Sequence, residues 1–129
     1  MKYACLVYVD ESLIGGLSPQ EGRRLIDESV EYDWGLRNNG HLILAQPLET
    51  PDTAVTIRVR SGNMSSTDGP FAETKDHLGG FFLIDARNMD EAIALARTSP
   101  MAAMGAIEIR PFLEQRHSET GAKRPALKE

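Results

Sequence analysis

The sequence predicts an α+β domain: one antiparallel sheet carrying two helices on a single face. Three observations predict it. Residues 2–9 and 78–86 are apolar at both alternating sets of positions, the pattern of strands buried on both sides. Ser18-Pro19-Gln20-Glu21 and Asn88-Met89-Asp90-Glu91 each read as a capping box opening a helical stretch. The helical stretches fall between strands, with one hairpin interposed near the middle of the chain.

Taken in order, KYACLVYV (residues 2–9) sets Tyr3, Cys5, Val7 and Val9 against Ala4, Leu6 and Tyr8, which is a doubly buried strand. Asp10 to Leu17, holding Gly15-Gly16, reads as a loop. The first box, with proline at the first helical position, starts a helix running to about Asn39, and Gly40 stops it. His41 to Gln46 is a short strand closed by Pro47. From Thr53 to Arg60, Val55, Ile57 and Val59 alternate with Thr56, Arg58 and Arg60; Ser61-Gly62-Asn63 then turns the chain into a polar strand, Met64 to Asp68, suited to a sheet edge. Leu78 to Ala86 is the second buried strand, the Asn88 box starts a short helix ending before Pro100, and Ala106 to Phe112 is the last strand. From Arg116 the chain is almost without apolar residues; residues 1–113 are expected to form one domain and residues 114–129 a polar, mobile tail.

The order β-α-β-(β-β)-β-α-β is, hairpin aside, the split βαβ or ferredoxin-like pattern. Such a sheet carries helices on one face only. Because two of its strands are apolar on both faces, a second copy is expected to cover the bare face, giving a two-fold dimer of stacked sheets with barrel-like packing. The rival is a monomer with a large exposed apolar patch, which soluble proteins seldom show.

A chain of 129 residues with 41% hydrophobic and 26% charged residues is one soluble domain by size and composition. Its net charge of −5 excludes nucleic acid as the main partner, since phosphate binding needs a basic surface. The lone Cys5 has no disulfide partner, the apolar start Tyr3 to Val9 is too short for a signal peptide, and no run reaches transmembrane length. A cytoplasmic protein that binds no membrane is the expectation. His41, His77 and His117 make no metal signature with the acidic residues, and the glycines at 15, 16, 79 and 80 match no phosphate-binding fingerprint, so neither metal nor cofactor is expected.

Two places invite chemistry. On a helical wheel of the first helix, Leu25, Ile26, Val30, Tyr32, Trp34 and Leu36 share one broad arc, and inside it lie Gly22, Ser29 and Asp33, nearly in line. A carboxylate on a packing face is unfavourable unless paired. Either Asp33 bonds a neighbouring arginine or backbone N–H, or the line of small and polar residues floors a cleft between helix and sheet. The second place is STDGPFAETK (residues 66–75), with more ionisable groups than a plain connection needs. Asp68 is best read as a cap of the turn or of a short helix at Pro70, and Glu73, Lys75 and Asp76 as solvated charges. Arg110 points with Glu108 to the face opposite Ile107 and Ile109, where it meets a carboxylate or anchors an anionic ligand. A small-molecule enzyme would draw its catalytic groups from Asp33 and Asp68, and its substrate contacts from Ser29, Lys75 and Arg110.

TDGPFAETK, LGGFFLIDA, MDEAIALA and GAIEIRPF together resemble the DGPF-type branch of the YCII-related family, nearly to Phe112. The resemblance implies a ferredoxin-like α+β dimer. In better-studied relatives a first-helix histidine and the aspartate of an Asp-Pro pair are assigned as a catalytic dyad, and one branch dehydrochlorinates a chlorinated hydroquinone. The matching positions here are Ser29 and Ser99-Pro100, so the resemblance does not carry that dyad over. The family context also implies an alternative role: a non-catalytic ligand-sensing or protein-interaction module linked to sigma-factor or stress regulation.

Overall fold

Strand alternation decides which side chains of the central sheet face the helices. The computed structural model describes residues 1–127; the last two residues of the polar tail, 128–129, lie outside the described residues. The strands are β1 (Lys2–Asp10), β2 (Leu42–Pro47), β3 (Val55–Arg60), β4 (Asn63–Asp68), β5 (Asp76–Asp85) and β6 (Gly105–Pro111). The helices are α1 (Glu11–Gly15), α2 (Pro19–Asn38) and α3 (Met89–Ala96), with 3-10 turns at Pro51–Thr53 and Pro100–Met104. Four strands form an antiparallel sheet in the order β2-β5-β1-β6, while β3 and β4 form a separate two-stranded sheet.

Residues directly opposite each other in a ladder share a face. Tyr3 pairs with Ile84, and Cys5 with both Phe82 and Ile109, so one face collects these side chains. It is buried beneath Leu36 of α2 and Ala92 and Ala96 of α3. Tyr3, Cys5 and Ile84 are the largest fully buried side chains, each apolar group of this kind contributing about 1.5–3 kcal/mol. On the other face Leu6, Tyr8, Phe81 and Leu83 are only half-buried and stand outside this core.

The helix ends follow the capping chemistry of the sequence. Ser18 Oγ accepts the Glu21 N–H at 3.1 Å, and Glu21 Oε1 accepts the Ser18 N–H at 3.2 Å, closing the predicted box. At the far end the His41 N–H reaches back to the Leu36 carbonyl at 2.9 Å. In α3 only half of the predicted box forms. Asn88 accepts the Glu91 N–H at 3.0 Å, but Glu91 takes its backbone donor from Arg87.

Two predicted elements differ. The loop expected over Asp10–Leu17 contains α1, because Asp10 Oδ1 accepts both the backbone N–H and the hydroxyl of Ser12 and nucleates one turn before Gly15-Gly16 ends it. The polar strand β4 is not an edge of the main sheet: β2 stops at Pro47 and the Pro51–Thr53 turn leads the chain away, so β3 and β4 pair only with each other. The edges of the main sheet are β2 and β6.

β6 enters the sheet at Gly105, where a Cβ would lie 1.9 Å from the Tyr8 carbonyl oxygen. Backbone cannot yield there without parting β1 from β6. Gly105→Ala is therefore expected to destabilise the fold by about 2–4 kcal/mol in urea denaturation, the range for forced overpacking and strain. A loss under about 0.5 kcal/mol, the scatter of neutral surface changes, would show that the β1–β6 contact is looser than this.

Candidate functional site

α2 is packed on the sheet along only one of its long edges. Leu25, Tyr32 and Leu36 turn inward, and Tyr32 is held twice. Its hydroxyl donates to the Leu95 carbonyl of α3 at 2.7 Å, and its ring meets Phe82 edge-on with centroids 5.8 Å apart. Burial pushes the Tyr32 phenol well above its ordinary pKa, so it stays a neutral donor. Around the helix from this edge come Leu25, Leu36, then Ser29, Gly22 and Asp33, then Ile26, Val30 and Trp34. The last three are 64%, 50% and 61% exposed, so half of the predicted apolar arc is not core.

A cavity of about 610 Å³ opens beneath the middle line, and Gly22, Ser29 and Asp33 all line it. Ile14 and Leu17 wall one end, Gln46 and Pro47 close β2 above it, Phe82 forms floor, and Ser99 with Met101 reach in from the turn before β6. The lining is overwhelmingly apolar. Within it Ser29 Oγ is fully shielded from solvent and has no hydrogen-bond partner. Asp33 forms no ion pair or hydrogen bond among the described residues, and desolvation alone raises its pKa above the ordinary value. Arg37, one turn on, lines an adjoining groove with Asp33, Trp34 and Leu44 but does not close on the carboxylate. Of the two sequence readings of Asp33, the geometry matches the cleft.

The remaining candidates lie elsewhere. Asp68 is exposed at the end of β4, opposite Val55, and caps neither a turn nor a helix among the described residues. That corrects the capping expectation: backbone does the closing, with the Gly69 N–H donating to Ala54 at 2.7 Å and Gly69 O accepting the Thr56 hydroxyl at 2.9 Å. Lys75 Nζ stands 4.0 Å from Asp10 Oδ2. Arg110 pairs in register with Ala4 and lies 3.9 Å from Glu108, on the sheet face away from the core. Strand alternation thus puts the whole sheet between Arg110 and the cavity. A shared cleft of Asp33, Asp68, Lys75 and Arg110 is not assembled.

The STDGPFAETK loop acts on the cavity at one remove. Beside the approach of Lys75 to Asp10, the N-cap of α1, His77 Nε2 of β5 sits 3.2 Å from Glu11 Oε1 in the first turn of α1, whose Ile14 is cavity wall. Phe71 lies under the Arg58 guanidinium at 4.9 Å, fastening the loop to β3. The sequence signal for α1 was the Asp10-x-Ser12 cap; nothing local signalled Gln46, Pro47 and Met101, which only tertiary contact brings to the cavity. Ser99 is buried, and its hydroxyl accepts the Met101 N–H at 3.2 Å. Burial pushes the Cys5 thiol up to about 12, which removes it as a nucleophile. Among the described residues no three His, Cys, Asp or Glu side chains gather as a metal ion would require.

The model of the YCII-related domain matches residues 1–116, and the chain belongs to the YCII-related family. An uncharacterized protein of Rhizobium meliloti (strain 1021) is 37% identical over 114 residues, covering 87% of this chain and 92% of that protein. Among solved structures, 5-chloro-2-hydroxyhydroquinone dehydrochlorinase from Burkholderia phenoliruptrix AC1100, in complex with 2,5-dihydroxybenzoquinone, is similar at a TM-score of 0.47 and 15% identity. That likeness covers 89% of this chain and 96% of that one.

A carboxyl whose folded pKa is raised binds its proton more tightly in the native state, so stability falls as pH rises from the unfolded value through the folded one. Asp33→Asn is expected to raise the urea midpoint at pH 7, with the gain shrinking to nothing as the pH drops below the ordinary aspartate value of 3.8. Parallel denaturation curves at pH 7 and pH 3 check this; an asparagine variant that is less stable at pH 7 would mean that the carboxylate has a folded-state partner.

Proposed function

We propose that this chain, as a DGPF-type member of its family on a ferredoxin-like frame, takes up a small and mostly apolar organic molecule in the cavity between α2 and the sheet. The observation that carries the reading is Asp33, a carboxyl without a protein partner among the described residues at the wall of an apolar cavity of ligand size, with the shielded and unpartnered Ser29 hydroxyl one helical turn away. Buried polar groups are ordinarily satisfied, so unpartnered ones facing a cavity are accounted for by a ligand that satisfies them. In a catalytic version Asp33 exchanges the proton, its raised pKa bringing it nearer to working pH. A non-catalytic, ligand-sensing version, linked to sigma-factor or stress regulation, is supported by Ser99, whose hydroxyl is occupied by the Met101 N–H. Product formation that disappears in Asp33→Ala, with folding intact, decides for catalysis; saturable binding without product decides for sensing.

Occupancy of the cavity is tested at Gly22, where a Cβ would meet nothing within 4 Å. Gly22→Leu adds helix propensity of about 0.8 kcal/mol while filling the space. The variant is expected to melt at or above the wild-type temperature and to lose thermal shifts that small apolar probes give the parent. Probes that shift both proteins equally would place binding outside the cavity.

The reading includes a cytoplasmic two-fold dimer, closed through the open sheet face of Leu6, Tyr8, Phe81 and Leu83, where Glu108 and Arg110 are then interface charges. Its support is that these apolar groups are half-buried and outside the core. Sedimentation should give twice the chain mass for the parent and the single-chain mass for Leu83→Glu with unchanged circular dichroism; a monomeric parent sinks the dimer. Among the described residues no helix is long and apolar enough to cross a membrane.

A further inference from the structure

We infer that the molecule taken up by this cavity is an apolar amine, held by its ammonium group against Asp33 and Ser29. This rests on the cavity being a ligand site and adds the charge and class of the ligand. The inference comes from what the lining lacks. Among the described residues no lysine, arginine or histidine lines the cavity, and Asp33 is the one charged group that does. Tyr32, the other ionisable group of the lining, has its proton committed to the Leu95 carbonyl. The amino end of α2 also borders the cavity through Ser18 and Pro19, and a helix start attracts anions. Here that attraction is already answered: Ser18 Oγ and the Glu21 carboxylate occupy each other's backbone N–H groups, and Glu21 adds a negative charge at the same end. An anionic ligand would meet a carboxylate and no cation. A neutral apolar ligand would leave Asp33 desolvated and unpaired.

An ammonium removes both difficulties. Asp33 and Ser29 are one helical turn apart, on the same face, so a nitrogen held at Asp33 reaches the Ser29 hydroxyl, shielded in this structure, once that side chain turns toward the cavity. Ser29 Oγ, shielded and without a partner, supplies an acceptor where a second carboxylate would overcharge the site. The body of the ligand then lies against Phe82, Met101 and Pro47, in space that takes a ring system or a branched alkyl group. Arg37, which lines the adjoining groove together with Asp33, is the cation placed to compete for the carboxylate among the described residues.

The test uses matched probes with one apolar body and three head groups: primary amine, alcohol and carboxylate, on hexyl, cyclohexylmethyl and naphthylmethyl frames. Each is titrated calorimetrically into the full chain. At least one amine is expected to bind roughly tenfold or more tighter than its alcohol, as a charge-assisted bond gives, with the carboxylate weakest. Asp33→Asn should bring amine and alcohol to equal affinity, Arg37→Ala should leave the amine as tight or tighter, and Gly22→Leu should abolish binding of both. Alcohols or carboxylates binding as tightly as amines, still in a Gly22-dependent way, overturn the amine and leave the cavity reading standing. If no probe of any class binds in a Gly22-dependent way, both fall.

Discussion

The site depends on how Tyr32 is fixed. Its ring lies edge-on to Phe82 and its hydroxyl is bonded to the carbonyl of Leu95, so one side chain ties α2 to β5 and to α3 together. A phenol this buried is tolerable only because its proton has a partner. The consequence for α2 is geometric. A helix pinned along the Leu25–Tyr32–Leu36 edge is a lever whose opposite edge is free to stand off the sheet. Gly22 and Ser29, too small to fill the gap, and Asp33, too polar to collapse into it, keep that edge raised. The cavity is therefore a product of where α2 is anchored and of which residues lie just beyond the anchor.

Much of this was legible in sequence because it rests on local rules. The capping box at Ser18 and the glycine stop at Gly40 reappear in the structure, whereas β1 and β5, expected to be buried on both sides, are buried on one face and half-buried on the other. The line of Gly22, Ser29 and Asp33 was legible too, since a helical period fixes relative facing without reference to the rest of the fold. What the wheel could not say was which part of the apolar arc is core: Leu36 and Tyr32 pack, Leu25 lines the cavity, and Ile26, Val30 and Trp34 stay exposed. Grouping Asp68, Lys75 and Arg110 with Asp33 failed for a different reason. They were joined by chemistry, and chemistry gives no distance. The alternation that sent Arg110 away from the core was visible in Ile107-Glu108-Ile109, but which face held the cavity was set by tertiary packing alone.

The sheet thus separates two surfaces with different duties. On one side the helices, the cavity and Asp33 belong to a single chain, with every wall supplied locally. On the other lie Leu6, Tyr8, Phe81 and Leu83, apolar enough to need cover and too flat to enclose a ligand. Coupling between the two runs only through the strands they share, of which β5 is the chief: Phe81 faces outward and Phe82 inward on consecutive residues. A second copy on the outer face would stiffen β5 without adding a group to the cavity.

The exposed stripe of Ile26, Val30 and Trp34 bears on why the cavity is not simply filled. Rolling α2 toward the sheet would bury that stripe and gain apolar contact, the direction that hydrophobic burial favours. Such a roll would carry Asp33 and Ser29 into the interior ahead of it, because they lie between the packed edge and the stripe. An unpaired carboxylate opposes that transfer, against the burial of two aliphatic side chains and a tryptophan that drives it. Asp33 opposes the roll, since the same desolvation that raises its pKa at the cavity edge would grow with any further burial. A partner cation at that position would relieve the desolvation without collapse, leaving the cavity open around whatever carries the charge.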